Sequence, residues 1–300
     1  MKKVIFIGVF STPNSTNVSQ SRGFSQNDVE VINYDYREKA RQLGGIQNRD
    51  LDLITLIQQT KPDLVVFSKC NMMSHVVVDE ANKVSKTCMW MMDASHNFDP
   101  EMTEKAKRVN FYISGVEGVT DIAKRYCDNT HFVNQCFDDE FNFKMDDVDY
   151  DTDISFIGSA DTSKIHENRK KYVNFLKSQY SSFKHFNNVY GLEHNEVVNK
   201  TKINLNFSPT DATGASVRIY KIMASGGFLM STPWKDMEKT FEIDKEIVVF
   251  NNEDELKEKI DFYLNNDELR EEIKNNFYNK SKEYSPKMWA NKILNYCNVL

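Results

Sequence analysis

The sequence contains no apolar run that approaches the roughly 18 residues of a membrane-spanning helix. Cysteine is also scarce: five cysteines are scattered over the 300 residues, an odd number with no pair at the CxxC spacing. This pattern argues against a disulfide framework and against a zinc site. It fits the reducing cytoplasm, which would be the host cytoplasm for a viral protein.

Positive charge is not in excess, and several common motifs are missing. The net charge of −6 gives the chain no overall positive charge that would attract nucleic acid, although it does not exclude a local basic groove. The chain has no P-loop, no GxGxxG and no GxSxG elbow. A phosphate site or a catalytic group must therefore be sought in less familiar patterns.

Short apolar runs alternate with helical patterns along both halves of the chain. In the first half the runs predict strands at 4–7, 29–33, 63–67, 88–92 and 110–113, and helices at 50–59, 76–85, 100–109 and 120–126. In the second half they predict strands at 153–158, 186–190, 203–207, 228–231 and 246–250, and helices at 165–180, 193–199, 216–225, 234–241, 253–263, 267–283 and 286–298. This alternation indicates an α/β protein with parallel sheets that helices cover on both faces.

An acidic segment separates the two halves. From Asp138 to Asp153, eight residues are Asp or Glu and one is lysine. We interpret residues 138–152 as a linker between an N-terminal domain, 1–137, and a C-terminal domain, 153–300, because a new buried strand follows it. The alternative is an acidic surface loop within one domain.

The segment 213–231 carries the clearest chemical signal. Thr213, Gly214 and Ser216 suit the start of a helix, whose free N–H groups and dipole can hold a diphosphate. Arg218 lies in the first turn, where a guanidinium can grip a bound anion in a bidentate way. Gly226-Gly227 predicts a left-handed end to the helix, and a short buried strand follows.

Three stretches carry a family resemblance. They are Ser216-Val-Arg-Ile-Tyr-Lys-Ile-Met-Ala-Ser-Gly-Gly-Phe-Leu, Ile203-Asn-Leu-Asn-Phe-Ser208 and Asp153-Ile-Ser-Phe-Ile-Gly-Ser159. Together they resemble the donor-binding region of the CgeB-like, group 1 glycosyltransferases over about residues 150–300. The resemblance implies a GT-B fold, in which two Rossmann-like domains with parallel sheets face a central cleft. The C-terminal domain would bind a nucleotide-sugar such as a UDP-sugar, and the last helix would pack back on the N-terminal domain.

The resemblance and the local patterns together suggest a set of donor-binding residues. We expect Arg218 to neutralise the donor diphosphate and Tyr190 to stack on the nucleotide base. Lys221 departs from the family, which usually has an acidic residue here that accepts hydrogen bonds from the ribose; lysine offers only donors. The remaining expected donor contacts are Gly158, Ser159, Lys164, Asn206, Ser208, Ser216 and Val217. For Arg218 and Lys221 the alternative is a solvent-facing cation, for Tyr190 a core position at a turn, and for Gly158-Ser159 an ordinary turn.

The N-terminal half is expected to supply the acceptor side. Asp93 and His96 follow a buried strand, at the end where ligands bind in open parallel sheets. Either one could take the proton from an acceptor hydroxyl, as an inverting mechanism requires. Alternatively, Asp93 caps a turn and His96 lies at the surface. His75 is expected to line the same cleft, and the other four histidines are expected at the surface.

The sequence therefore predicts a glycosyltransferase that moves a sugar from a nucleoside diphosphate sugar to a hydroxyl acceptor. No DxD motif lies beside the predicted nucleotide site, so we expect metal-independent transfer with no cofactor other than the co-substrate. The acceptor could be a glycan, a protein or a small molecule. One alternative is a phage-type DNA glycosyltransferase that modifies a hydroxymethylated base, since residues 162–202 hold eight Lys or Arg against three Asp or Glu. A second alternative is a non-catalytic nucleotide-sugar-binding protein.

Overall fold

The computed structural model describes residues 1–160, 167–208 and 212–300. The chain divides into two compact units, one formed by Met1–Cys136 with Ser285–Leu300 and the other by Phe137–Tyr284. Among the described residues, no helix has both the length and the apolar character needed to cross a membrane.

The first unit is built on a six-stranded parallel sheet in the order β2-β1-β3-β4-β5-β6. Its central strands are buried apolar runs, as expected for a sheet covered on both faces. Its elements are β1 (Lys2–Gly8), α1 (Thr16–Ser25), β2 (Val29–Asp35), α2 (Tyr36–Gln42), α3 (Ile46–Thr60), β3 (Leu64–Ser68), α4 (His75–Asn82), β4 (Lys86–Met91), α5 (Pro100–Ala106), β5 (Phe111–Ser114), α6 (Glu117–Ala123), β6 (Thr130–Phe132) and α12 (Pro286–Tyr296).

Helix α12 is the last helix of the chain and packs beside α1 in the first unit. Trp289 lies among Phe6, Phe24 and Trp90, with ring centroids between 5.2 and 6.3 Å away. At Gly23 of α1, an added Cβ would overlap the backbone carbonyl of Pro286, so only glycine permits this close helix contact. The end of the chain therefore contributes to one of the apolar cores of the first unit, where residues of α12 pack against residues of the sheet.

The second unit is built on a five-stranded parallel sheet in the order β11-β10-β9-β7-β8. Apolar clusters cover both of its faces. Its elements are β7 (Thr152–Ile157), α7 (Glu167–Gln179), β8 (Phe183–Phe186), α8 (Gly191–Asn199), β9 (Thr201–Asn206), α9 (Val217–Ala224), β10 (Leu229–Ser231), β11 (Val248–Val249), α10 (Glu253–Leu264) and α11 (Asp267–Lys280).

Two predicted elements of the second unit are wrong. The strand predicted at 186–190 ends at Phe186, and the residues after it form the loop that leads into α8. The helix predicted at 234–241 contains only a short 3-10 turn, Met237–Lys239. The left-handed end predicted for α9 is present, since Gly226 has a φ of 68°.

The acidic segment 138–152 lies within the second unit. The backbone N–H groups of Phe143 and Met145 donate to the side chains of Asn195 and Asn199 at 3.1 and 2.8 Å. The segment is therefore held along α8, and its role as a linker stays a prediction.

Candidate active site

An open cavity of about 620 Å³ lies at the carboxyl ends of β7 and β8 and at the amino end of α9. In open parallel sheets this is the edge where ligands bind. The described residues that line it are Ile157, Gly158, Ser159, Ala160, His185, Asn187, Asn188, Val189, Tyr190, His194, Val217, Arg218 and Lys221. None of these lining residues is Asp or Glu.

Arg218 is fixed in the wall of this cavity. Its Nε donates to the carbonyl oxygen of Ile157 at 2.7 Å, and its Nη1 donates to Oδ1 of Asn206 at 2.8 Å. Its guanidinium also lies 5.1 Å from the centroid of the Phe156 ring. Because these described partners carry no charge, the positive charge of Arg218 remains available for an anionic ligand.

Burial, and to a smaller extent the nearby charge of Arg169, lower the pKa of Arg218 to about 9. An arginine side chain keeps its proton in proteins, so the lowered pKa reflects the cost of holding this charge out of water. A bound anion would remove that cost.

Gly158 makes room for Arg218. Its φ of 149° favours glycine, and a Cβ at this position would overlap Nη2 of Arg218. Its carbonyl oxygen accepts a hydrogen bond from Nε2 of His185 at 2.8 Å, which fixes the proton of that imidazole on Nε2. The strand end of β7 and the first turn of α9 therefore fit together only around a glycine.

The amino end of α9 points its first turn at the cavity. Ser216 precedes the helix, but its side chain does not cap it; the hydroxyl instead donates to Oδ1 of Asn206 at 3.2 Å. The N–H groups that Ser216 leaves uncapped, together with the helix dipole, favour a negative ligand. Val217 and Arg218, the first two residues of the helix, both border the cavity.

Asn206 and Ser208 lie behind the cavity wall. Asn206 is fully buried, and its Nδ2 donates to the hydroxyls of Ser208 and Ser231 at 3.2 and 2.9 Å. Since its Oδ1 accepts from both Arg218 and Ser216, Asn206 orients the guanidinium that borders the cavity and the residue that precedes α9. Direct contact of Asn206 or Ser208 with a nucleotide stays a prediction.

Three of the other expected donor contacts, Tyr190, Lys221 and Ser159, also border the cavity. Tyr190 is 58% exposed at the edge of the cavity, where its ring is free of the core. Lys221 lies three residues after Arg218 on α9 and borders the same cavity, as does Ser159. Lys164 lies outside the described residues.

His194 was missed by the sequence analysis. It borders the cavity, yet it is only 6% exposed, and the expectation of a surface position is wrong for this histidine. Burial, with the nearby charges of Lys221 and Arg218, lowers its pKa to about 3. Its spacing of four residues from buried Val198 on α8 is the signal that could have revealed an inward-facing side chain.

The expected acceptor-side residues lie in the first unit, with Asp93 and His96 after β4 and His75 after β3. Asp93 is half-buried, and its carboxylate forms an ion pair with Lys69. His96 is exposed in a 3-10 turn, Ser95–Asn97, and His75 is exposed at the start of α4. The catalytic roles of Asp93 and His96 stay predictions.

The basic side chains between β7 and β8 are partly engaged by the protein itself. Arg169 donates to the carbonyl oxygen of Phe207 at 3.0 Å, and Lys171 pairs with Glu253 at 2.7 Å. Lys170 and Lys177 are exposed on α7. No group of three or more His, Cys, Asp or Glu able to hold a metal ion is found within the described ranges.

The comparisons with known proteins agree with this architecture. The model of the glycosyl transferase-like family matches residues 148–295. A solved glycosyltransferase from Rickettsia africae has a TM-score of 0.68 at 12% identity and covers 99% of this chain and 98% of its own. Anabaena Alr3699/HepE, solved with UDP-glucose, has a TM-score of 0.68 at 10% identity over all of both chains. Sucrose-phosphate synthase from Thermosynechococcus elongatus has a TM-score of 0.69 at 8% identity and covers 98% of this chain and 97% of its own.

The chain has the GT-B fold. Its two parallel sheets are those of the two Rossmann-like domains, so the predicted fold class is confirmed. The group 1 resemblance gains support over the C-terminal half of this GT-B chain, while the narrower CgeB-like assignment stays a prediction. No curated protein matches the sequence.

Proposed function

We propose that this GT-B protein is a glycosyltransferase that moves a sugar from a nucleoside diphosphate sugar to a hydroxyl acceptor, without a metal ion. The observation that carries the proposal is the position of Arg218. It is half-buried at the amino end of α9, has uncharged described partners and borders a cavity whose described lining residues include no carboxylate. A diphosphate would balance the positive charge of the guanidinium and accept hydrogen bonds from the N–H groups at the amino end of α9.

A UDP-sugar is the first donor to test. The cavity lies within the segment that matches the glycosyl transferase-like family, and Anabaena HepE, which shares the fold, was solved with UDP-glucose. Tyr190 stands exposed at the rim, where its ring can stack on a nucleotide base. Lys221 supplies a second positive charge one turn along α9.

In the proposed reaction the second unit holds the sugar donor and the first unit supplies the base for the acceptor. The acceptor oxygen attacks the anomeric carbon, the bond from that carbon to the diphosphate oxygen breaks, and the nucleoside diphosphate leaves with the electron pair. Arg218 and the amino end of α9 stabilise the charge that grows on the leaving group. In an inverting mechanism, Asp93 or His96 takes the proton of the acceptor hydroxyl.

A donor screen tests the proposal. Thermal unfolding is measured with UDP-, GDP-, ADP- and CDP-sugars, and a donor that binds the folded state raises the melting temperature by mass action. We expect at least one sugar nucleotide to stabilise the protein, with the shift lost in Arg218→Ala and kept in Arg125→Ala, which removes an exposed arginine of the first unit. No stabilisation by any of the four classes would contradict the donor assignment.

Turnover separates an enzyme from a binding protein. Once a donor is found, release of the nucleoside diphosphate is followed with candidate hydroxyl acceptors and with water alone. A donor that binds but is never turned over, with any acceptor, would leave a non-catalytic nucleotide-sugar-binding protein as the correct description.

A further inference from the structure

His194 presents an unusual combination of burial and chemistry. It lies on α8 in the wall of the cavity, and its Nδ1 is buried without a hydrogen-bond partner among the residues that the structure describes. Buried polar side-chain atoms nearly always have a partner, so this one requires an explanation.

The groups that face His194 explain why the imidazole is neutral without a ligand. Lys221 and Arg218 face it from α9, His185 borders the cavity from the end of β8, and Tyr190 precedes α8. The described residues that line the cavity offer no carboxylate. A proton on His194 would therefore add a positive charge beside those of Lys221 and Arg218 in a desolvated wall, which is why its pKa is lowered to about 3.

We infer that His194 is a further donor-binding residue, which takes up a proton when a sugar nucleotide binds and then donates a charged hydrogen bond to the diphosphate. This inference rests on the proposed function, because it names what the same cavity does with its ligand. In the empty cavity the neutral ring keeps its hydrogen on Nε2, so that Nδ1 is a buried acceptor without a partner among the described residues. The diphosphate supplies negative charge, and Nδ1 then gains a proton from solvent and donates it to a phosphate oxygen.

The electrostatic change is large enough to move the proton. One negative charge about 4 Å from the imidazolium, at an effective dielectric constant of about 20, raises the pKa by about three pH units. A sugar nucleotide carries two such charges, so the pKa of the bound state enters the range in which histidine titrates. Since binding takes up a proton, affinity for the donor rises as the pH falls.

Titration calorimetry in several buffers measures the proton directly. The probe is UDP-glucose, because both of its phosphates stay ionised near neutral pH and contribute no proton. Binding enthalpies are measured at about pH 6 in buffers with different ionisation enthalpies, and their slope gives the number of protons taken up. We expect an uptake above about half a proton in the wild-type chain and about zero in His194→Gln, with donor affinity about tenfold lower in that variant.

Two further variants locate the proton. His131→Gln removes a half-buried histidine of the first unit that stacks on Tyr296, and it should leave the uptake unchanged. His185→Gln removes the other described histidine of the cavity, and the uptake should persist there too. Loss of the uptake in His185→Gln but not in His194→Gln would overturn the assignment.

The outcomes also distinguish this inference from the proposed function. UDP-glucose binding with enthalpies that do not depend on the buffer would overturn the role of His194 and leave the donor site standing. Absence of binding by every sugar nucleotide in the thermal screen would overturn the donor site itself, and the inference with it.

Discussion

Arg218 is held by neutral oxygen atoms on one side and borders an open cavity on the other. Its partners orient the guanidinium without neutralising it, which is the arrangement that an anion-binding arginine requires. The sequence could predict this residue because a helix start, an arginine and a Gly-Gly end follow each other closely. It could not predict Asn206 as the orienting group, because that contact joins β9 to α9 across the fold.

Replacing Arg218 by alanine should weaken donor binding by about 2–5 kcal/mol, because a buried charge-assisted contact is lost. Titration calorimetry with the donor from the thermal screen measures the change in Kd. Arg125→Ala serves as the control, since that exposed side chain lies in the first unit. Equal donor affinity in Arg218→Ala and the wild-type chain would remove Arg218 from the site.

Gly158 and Gly45 form a matched pair for a second test. Both have a φ of 149°, but a Cβ at Gly158 would overlap Arg218, whereas a Cβ at Gly45 would meet nothing within 4 Å. Gly158→Ala and Gly45→Ala should each lower the free energy of unfolding by about 1–3 kcal/mol through backbone strain. Only Gly158→Ala should also weaken donor binding, which calorimetry would detect. Unchanged affinity in Gly158→Ala would show that the position of Arg218 tolerates displacement.

At the scale of elements, apolar periodicity located most strands and helices, and it failed where buried residues are polar or where a buried apolar residue lies in a loop. Helix α1 was not predicted because its buried face is formed largely by Asn17, Ser19, Gln20 and Ser21, which give no apolar pattern. Buried Val189 extended the strand predicted at 186–190, although the chain leaves the sheet after Phe186. His194 escaped notice because histidine is a polar residue, and the sign of its burial is only the four-residue spacing from Val198 on the short helix α8.

Helix α12 gives a prediction at this scale. Trp289 is 1% exposed among three aromatic rings, while its neighbour Met288 is 39% exposed. Trp289→Ala should lower the free energy of unfolding by about 3–5 kcal/mol, because it leaves a cavity in the core. Met288→Ala is the control and should change it by less than about 0.5 kcal/mol. Urea unfolding measures both; similar midpoints for the two variants would contradict the role of α12 in the first unit.

At the scale of the whole molecule, the sequence was sufficient for the fold class, and it also predicted that the segment 213–231 borders the donor, which stays a prediction. The fold class follows from the alternation of apolar runs and helical patterns along the chain, and the donor segment follows from one contiguous stretch, 213–231. The acceptor side is harder to predict, since the roles expected of Asp93 and His96 would depend on groups that are remote in the sequence. Lys69, the ion-pair partner of Asp93, comes from the end of another strand and was not foreseen.

A crystal structure with UDP bound is the most direct test of the central claim, which is that the cavity at the amino end of α9 holds the donor diphosphate. The diphosphate should lie within hydrogen-bond distance of the Arg218 guanidinium and of the first N–H groups of α9, with the base beside Tyr190. UDP bound at a different place on the chain, or with its diphosphate directed away from Arg218, would contradict the account.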